Sequence, residues 1–181
     1  MEPQRVSADQ AHTVWEIEPR YTNVQFRCKS FLFFTVEGRF TDFAGTIHLD
    51  EADIRRSVVE MTIKAASVTA GNKRRDTRLG SADFLDAQKY PEIHFRSTRV
   101  ERGRDRDTLR ITGTLTIKGT GREIVVDVLE TDRSRSPGGE EVAYYTALAQ
   151  LDRFSFGVKS GRGMIGRTIK VIIPTQATRK R

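Results

Sequence analysis

The amino-acid sequence predicts an all-β domain of about eight or nine antiparallel strands, arranged as a closed barrel or a sandwich. Three observations support this class. Apolar and polar residues alternate along most of the 181-residue chain, turn-forming residues interrupt the alternation at short intervals, and most connections are too short to contain a crossover helix. One apolar face per strand, repeated through a chain of this length, is typical of a single domain around one core.

The clearest alternation lies in segment 107–119, DTLRITGTLTIKG, where Leu109, Ile111, Leu115 and Ile117 share one face. Polar side chains occupy the opposite face, so the segment is predicted to be a half-buried strand. The same period of two residues recurs in further segments: TVWEIE (13–18), NVQFRCK (23–29), RFTDFAGTIHLD (39–50), VVEMTIKAA (58–66), EIHFRSTRV (92–100), REIVVDVLE (122–130), YYTALAQLD (144–152) and RTIKVII (167–173). Turn-like residues separate these segments.

The stretch 72–95, NKRRDTRLGSADFLDAQKYPEIHF, breaks the alternation and predicts one or two short helices between strands. Asn72 is a suitable N-cap for the first helix, and Gly80 suits the left-handed position that ends it. Ser81 offers a second N-cap, and Pro91 restarts the extended chain. The apolar anchors of this element are predicted to be Leu79, Phe84, Leu85 and Tyr90. In an all-β barrel, such an element is expected to cover an open end.

The chain carries a net charge of +7, but its basic residues are mostly interspersed with acidic ones, which favours a solvated surface over a functional basic face. The single cysteine, Cys28, excludes an intramolecular disulfide and is expected to be a small buried residue in a strand. No apolar run approaches the ~18 residues of a membrane span, and the N-terminus lacks an apolar signal region. We therefore expect a cytoplasmic protein.

Motifs for cofactors and metals are weak in this sequence. GRGMIG at 161–166 matches a dinucleotide fingerprint in letters, but it leads into a strand and no acidic residue follows at the required distance. His12, His48 and His94 lie far apart in the sequence, so no metal site is predicted. We expect no cofactor.

The residues alone are also compatible with two other classes of function, an enzyme and a nucleic-acid-binding protein. The carboxylates Asp76, Asp83 and Asp86 are the only cluster that favours an enzyme, and Asp83 is explained more simply by a helical first turn. A nucleic-acid-binding barrel is the stronger alternative, because the chain is basic and aromatic residues could stack on bases. The aromatics available for such stacking are Phe31, Phe33, Phe34, Phe40, Phe43, Tyr144 and Tyr145.

The stretch 72–95 resembles a motif of the bacterial YceI family of lipocalin-like polyisoprenoid-binding proteins. The matching residues are Arg75, Asp76, Leu79, Asp83, Phe84, Asp86, Tyr90, Pro91, Ile93 and Phe95. Other segments agree in order: W-x-I from Trp15, EGRFTDFAGTI (37–47), SVTAGN (67–72), ITGTLTIKG (111–119) and DRFSFGV (152–158). The resemblance covers about residues 13–174. It departs from the family pattern at Ser30, where a histidine is frequent, and at Arg167, where an aspartate is common.

The resemblance implies an eight-stranded antiparallel lipocalin-like barrel that holds a long isoprenoid, either a polyprenyl chain or an isoprenoid quinone, or a similar lipid. It implies non-enzymatic binding, storage or transport, with the lipid as the only ligand. The residues predicted to bind it are Phe26, Phe33, Met61, Ile63, Phe84, Phe95, Ile111, Gly113, Leu115, Val126, Tyr145, Ala147 and Ala149. The small residues Gly113, Ala147 and Ala149 are expected to keep the interior open. Arg75 and Asp76 are expected to form ion pairs and backbone hydrogen bonds that hold the helical element against the barrel.

The predicted organisation has a flexible N-terminal segment at 1–12, the barrel at 13–174 and a basic C-terminal tail at 175–181. A long-chain lipid is the predicted partner, and nucleic acid is an unfavoured one. The sequence is compatible with a homodimer and with transient contact at a membrane surface.

Overall fold

The computed structural model describes residues 12–181, so the predicted flexible segment 1–12 lies outside the described residues except for His12. The strands alternate in burial as the sequence predicts. Their bounds are β1 His12–Ile17, β2 Val24–Ser30, β3 Phe34–Phe40, β4 Phe43–Asp50, β5 Val58–Lys64, β6 Val68–Thr69, β7 Glu92–Arg102, β8 Thr108–Ile117, β9 Thr120–Arg135, β10 Glu141–Asp152 and β11 Thr168–Arg179. One α-helix, α1, spans Lys73–Gly80, and short 3-10 helices span Pro19–Tyr21, Ile54–Arg56, Ala65–Ser67 and Arg153–Phe156.

The strands form one closed antiparallel barrel. Strands β1 and β2 follow each other along the same edge of β11, with β1 pairing at Ala177–Arg179 and β2 at Lys170–Ile172. In the same way, β4 pairs with β1 and β3 pairs with β2. On the next position, β5 pairs with β4 and β6 pairs with β3. Three positions around the barrel are each shared by two strands: β1 with β2, β4 with β3, and β5 with β6. Strands β7 to β11 fill the other five positions, which gives eight. The predicted eight-stranded lipocalin-like barrel is therefore confirmed.

The two ends of the barrel differ in the way they are closed. At one end lie α1, the β2–β3 turn, the β8–β9 turn and the loop that joins β10 to β11; we call this the helix end. The opposite end carries Trp15, which is 1% exposed and packs with Leu49, Ala143 and Ala177. Arg133 stacks over the Trp15 ring at 5.3 Å and donates a hydrogen bond to Glu51 at 2.9 Å. The end opposite the helix end is thus filled by side chains.

Helix α1 begins as predicted and ends differently. The Asn72 side chain accepts a hydrogen bond from the Arg75 backbone N–H, which makes Asn72 the N-cap. Gly80 is the last helical residue and does not adopt the predicted left-handed conformation. Ser81 caps the C-terminus instead, because both its N–H and its hydroxyl donate to the Arg78 carbonyl. Of the one or two short helices predicted for this stretch, the described residues contain one, and turns follow Ser81 in place of the second.

The predicted basic tail at 175–181 is wrong for most of its length. Strand β11 continues to Arg179, and the side chain of Ala177 is fully buried. The Arg179 guanidinium bonds to Glu141, and the Lys180 ammonium contacts Glu16. These basic residues therefore pair with acids where β1, β10 and β11 meet. Within residues 12–181, no helix has the length and apolar character needed to cross a membrane.

Candidate ligand-binding cavity

The barrel encloses an apolar cavity of about 530 Å³. Aliphatic and aromatic side chains from every long strand line it, and Leu79 and Phe84 cover it from the helix end. Among the described lining residues there is no aspartate or glutamate, whereas Arg75, Arg78 and Arg153 are present. An apolar cavity with few polar groups has the character of a site for a hydrophobic ligand.

Most of the residues that the sequence predicts to bind ligand lie together in this wall. They are Phe26, Met61, Ile63, Phe84, Phe95, Ile111, Leu115, Val126, Tyr145, Ala147 and Ala149. Period-two alternation brings all of them except Phe84 together, because alternate residues of each strand face the barrel interior, whereas Phe84 lies in the segment between α1 and β7. That they contact a ligand stays a prediction.

Phe33 lies elsewhere. It sits in the β2–β3 turn, its side chain is 87% exposed, and it does not line the cavity. The prediction that Phe33 binds the ligand inside the barrel is therefore wrong, although it belongs to the apolar run 31–36. The run is divided by a turn, since Phe31 and Leu32 adopt positive φ angles of 49° and 66°.

Gly113 faces the interior but does not contribute to the cavity wall. A Cβ atom at this position would lie 2.6 Å from the Phe95 ring and 2.6 Å from the Arg96 carbonyl oxygen. The space left by the missing side chain is therefore occupied by the Phe95 ring, so Gly113 does not keep the cavity open as expected. Ala147 and Ala149 do line it.

We expect Gly113→Ala to lower the free energy of unfolding by about 1–3 kcal/mol, the usual cost of overpacking a core. The backbone carbonyl of Arg96 cannot move without disturbing the β7–β8 pairing. Gly138→Ala is the matched control, because its nearest neighbouring atom is 3.7 Å away. Urea unfolding of both variants measures the difference, and equal stabilities would contradict the assigned contact.

The segment between β6 and β7 is held against the barrel by the residues that the sequence singled out. The Asp76 carboxylate accepts a hydrogen bond from the Ala70 N–H at 2.6 Å, and Arg75 donates to the Ala70 carbonyl at 2.9 Å. The expected backbone hydrogen bonds are thus present, and among the described residues neither side chain forms an ion pair. Phe84 is 5% exposed and reaches the cavity beneath Arg78.

Arg153 is a lining residue that the sequence analysis missed. It is 5% exposed and donates hydrogen bonds to the carbonyls of Val158, Ser160, Ile165 and Gly166 at 2.7–2.9 Å. These contacts fasten the β10–β11 loop across the helix end of the cavity. The position lies in the motif DRFSFGV, which identified the family but did not indicate this role.

Cys28 is half-buried and faces the same region of the cavity. Burial raises the pKa of its thiol, while the positive charges of Arg153 and Arg75 act in the opposite direction. Ser30, Arg75 and Arg78 also line this part of the wall. The charged groups of the described cavity lining are therefore concentrated at the helix end.

Tyr145 is one of the polar residues that line the cavity away from the helix end, with Ser57 and Thr175. Burial, followed by the negative charge of Glu130, raises the pKa of its hydroxyl, while Arg133 acts in the opposite direction. The hydroxyl is consequently neutral at physiological pH and can donate a hydrogen bond.

The residues that the alternative functions require are dispersed. Asp76 is committed to the Ala70 N–H, and the exposed turn residue Asp83 and half-buried Asp86 lie outside the cavity lining. For stacking on bases, Phe43 is buried, while Phe40 and Tyr145 face the cavity. Of the aromatic residues predicted for stacking, all of them among the described residues, Phe31, Phe33 and Phe34 are the exposed ones. Within residues 12–181, no group of three metal-ligating side chains comes together.

A closed eight-stranded barrel with an enclosed apolar cavity places the protein in the lipocalin-like class. The family model described as "YceI-like domain" matches residues 15–177. Protein YceI of Escherichia coli O17:K52:H18 (strain UMN026 / ExPEC) is 30% identical over 164 residues, which cover 91% of this chain and 85% of that relative. The chain therefore belongs to the YceI-like family, as the motifs in the sequence predict.

Solved structures share the fold at lower identity. BcnA of Burkholderia cenocepacia superimposes with a TM-score of 0.80 at 22% identity, covering 90% of this chain and 99% of that one. A polyisoprenoid binding domain from Saccharophagus degradans, implicated in plant cell wall breakdown, gives a TM-score of 0.70 at 12% identity and covers 92% and 98%. At these identities the likeness establishes the barrel architecture.

Proposed function

We propose that the protein binds one long-chain isoprenoid, a polyprenyl chain or an isoprenoid quinone, or a similar lipid, and stores or transports it without a covalent step. The observation that carries this proposal is the enclosed cavity of about 530 Å³, whose described lining contains no carboxylate. The naming of the Saccharophagus degradans domain for polyisoprenoid binding supports the same ligand class.

The physical basis of binding is burial of the lipid chain. Each buried methylene group contributes about 0.8 kcal/mol, so affinity depends mainly on the length of chain in the cavity. The polar group of the lipid lies at the helix end in this proposal, because Ser30, Arg75 and Arg78 are there. A chain threaded from that end fills the space bounded by Tyr145 and Ala147.

The test is the identity and stoichiometry of lipid in the purified protein. We expect native mass spectrometry to show one bound lipid per chain, and organic extraction to release an isoprenoid or a related long-chain compound. Delipidated protein should take up one equivalent of an added isoprenoid quinone. A protein that is consistently empty and takes up no added lipid would contradict the proposal.

The same preparation separates lipid binding from nucleic-acid binding. Binding dominated by phosphate contacts weakens steeply with salt. Anisotropy titrations against RNA and single-stranded DNA at two salt concentrations should therefore show no tight, salt-sensitive binding. Such binding without lipid uptake would favour the nucleic-acid alternative. The cytoplasmic location, the homodimer and the absence of a catalytic activity stay predictions.

A further inference from the structure

The β2–β3 turn presents an unusual concentration of apolar side chains to solvent. Phe31, Leu32, Phe33 and Phe34 are 58%, 84%, 87% and 67% exposed, and we call these four residues the apolar tip. Met164, on the β10–β11 loop, is exposed beside them, since its carbonyl accepts a hydrogen bond from the Phe31 N–H at 2.7 Å. A contiguous apolar patch of this kind marks an interaction surface, whereas isolated exposed apolar residues do not.

The backbone holds the apolar tip in its exposed position. Phe31 and Leu32 adopt left-handed φ angles that are unfavourable for bulky side chains. The strained turn is braced by the β10–β11 loop, through a bridge between Ser30 and Ile165 and a hydrogen bond from the Gly166 N–H to the Lys29 carbonyl. Strain of this kind persists where surrounding structure imposes it, and it clusters at sites of binding.

Basic residues surround the apolar tip. Lys29 precedes it on β2, and Lys159 and Arg162 lie on the bracing loop, all three exposed to solvent. Segments 29–35 and 157–166 contain no acidic residue. The combination of apolar side chains with nearby cations matches a bilayer surface that contains anionic lipid.

The apolar tip is also continuous with the cavity. Phe31, Met164 and Ile165 contribute to the cavity lining, so an apolar surface runs from the helix end of the barrel to the exposed turn. A long-chain lipid leaving by this route would remain in contact with apolar side chains. Transfer through water would instead expose the whole chain, at about 0.8 kcal/mol per methylene group.

We propose that the apolar tip inserts into the surface of a membrane that contains anionic lipid, and that the cavity exchanges its ligand with the bilayer there. The membrane contact stands on the exposure and charge of the tip, whereas the exchange rests on the proposed lipid-binding function. A bilayer fits better than a protein groove, because the tip projects from a turn and combines exposed apolar side chains with lysine and arginine.

The test is co-sedimentation of the purified full chain with vesicles of phosphatidylcholine, prepared with and without phosphatidylglycerol. The tip variant combines Leu32→Asn with Phe33→Ser, since asparagine tolerates the left-handed backbone of position 32. The control combines Val125→Ser with Leu129→Ser, which removes two exposed apolar side chains from β9. Circular dichroism and the thermal midpoint establish that each variant is folded, and Phe33→Ser alone serves if the double variant is not.

We expect the wild-type protein and the control to bind the anionic vesicles. In the tip variant, each substitution should lower the affinity for these vesicles roughly tenfold or more. A tenfold loss corresponds to about 1.4 kcal/mol, the scale of burying one such side chain. Lys159→Gln with Arg162→Gln should weaken binding only when phosphatidylglycerol is present. Three outcomes would each overturn the membrane contact. The wild-type protein does not bind the vesicles, the tip variant and the control lose affinity equally, or the tip variant changes only the oligomeric state.

Lipid content, measured on the same samples, distinguishes this inference from the proposed function. A loaded protein that binds no vesicles would overturn the inference and leave lipid binding intact. An empty protein whose vesicle binding requires the tip would overturn lipid binding and support the membrane contact. We expect both lipid binding and membrane contact to hold. The tip variant should retain its lipid and exchange it with vesicles more slowly.

Discussion

Ala147→Phe should displace the bound lipid before it destroys the fold. Ala147 lies on β10 between Val128 of β9 and Ile173 of β11, and its side chain lines the cavity. A phenylalanine ring at this position would occupy space that the ligand otherwise fills. In a filled core the same change costs typically about 1–3 kcal/mol, but an open cavity reduces that cost.

The measurement pairs bound lipid per chain with the thermal midpoint, for the variant and for wild-type protein before and after delipidation. We expect lost lipid and a midpoint close to that of delipidated wild type. Leu148→Phe is the matched control, since Leu148 is the next residue on β10 and its side chain is exposed on the outer face. A much lower midpoint with unchanged lipid occupancy in the folded fraction would show that Ala147 lies in packed core.

Arg153→Met should produce the largest loss of stability among the lining residues. The variant keeps the aliphatic volume but leaves the carbonyls of Val158, Ser160, Ile165 and Gly166 without their donor. An unsatisfied buried acceptor costs about 1–3 kcal/mol, and water can reach some of the four. We therefore expect the free energy of unfolding to fall by about 3 kcal/mol or more, measured by urea denaturation.

The control for Arg153 is Arg162→Met, on the same loop. Arg162 is exposed and stacks on the Phe154 ring at 4.9 Å, as Arg153 does at 4.8 Å. Its replacement should change stability by no more than about 0.5 kcal/mol. If both variants proved equally stable, the carbonyl contacts of Arg153 would not fasten the β10–β11 loop as described.

The sequence predicted the barrel because alternation constrains every strand at once. A shift by one residue would expose Ile111 and Leu115 and bury Arg110, so one face of β8 must point inward. The N-cap at Asn72 was predictable for a local reason, since it depends on a side chain and a backbone N–H three residues apart.

Features that depend on the neighbouring element were not predictable. Alternation indicates that Gly113 faces inward, but only the β7–β8 register shows that Phe95 fills the space beside it. The turn at Phe31 and Leu32 carries none of the usual turn residues. Ser81 resembles an N-cap, yet its hydroxyl bonds backwards to Arg78, and the Leu85 N–H bonds to Leu79, so no second helix begins.

The role of Arg153 was hidden for a related reason. Its hydrogen-bond partners are backbone carbonyls, which every residue carries, so no sequence pattern marks them. Charged residues make up 30% of the chain, and no neighbouring residue in the sequence distinguishes the buried Arg153 from the other arginines. Only the path of the β10–β11 loop reveals the contact.

The reactivity of Cys28 tests most directly whether the lipid lies inside the barrel cavity. The thiol faces the cavity beside Arg153 and Arg75, and burial raises its pKa, so maleimide labelling should accelerate as the pH rises. The control carries Cys28→Ser with Lys29→Cys, which moves the thiol to the adjacent exposed position.

We predict that delipidated protein is labelled readily and that one equivalent of added isoprenoid quinone slows labelling of Cys28 severalfold, while the control is labelled at the same rate in both states. Equal rates at Cys28 with and without stoichiometrically bound lipid would contradict the account, because the lipid would then lie outside the cavity.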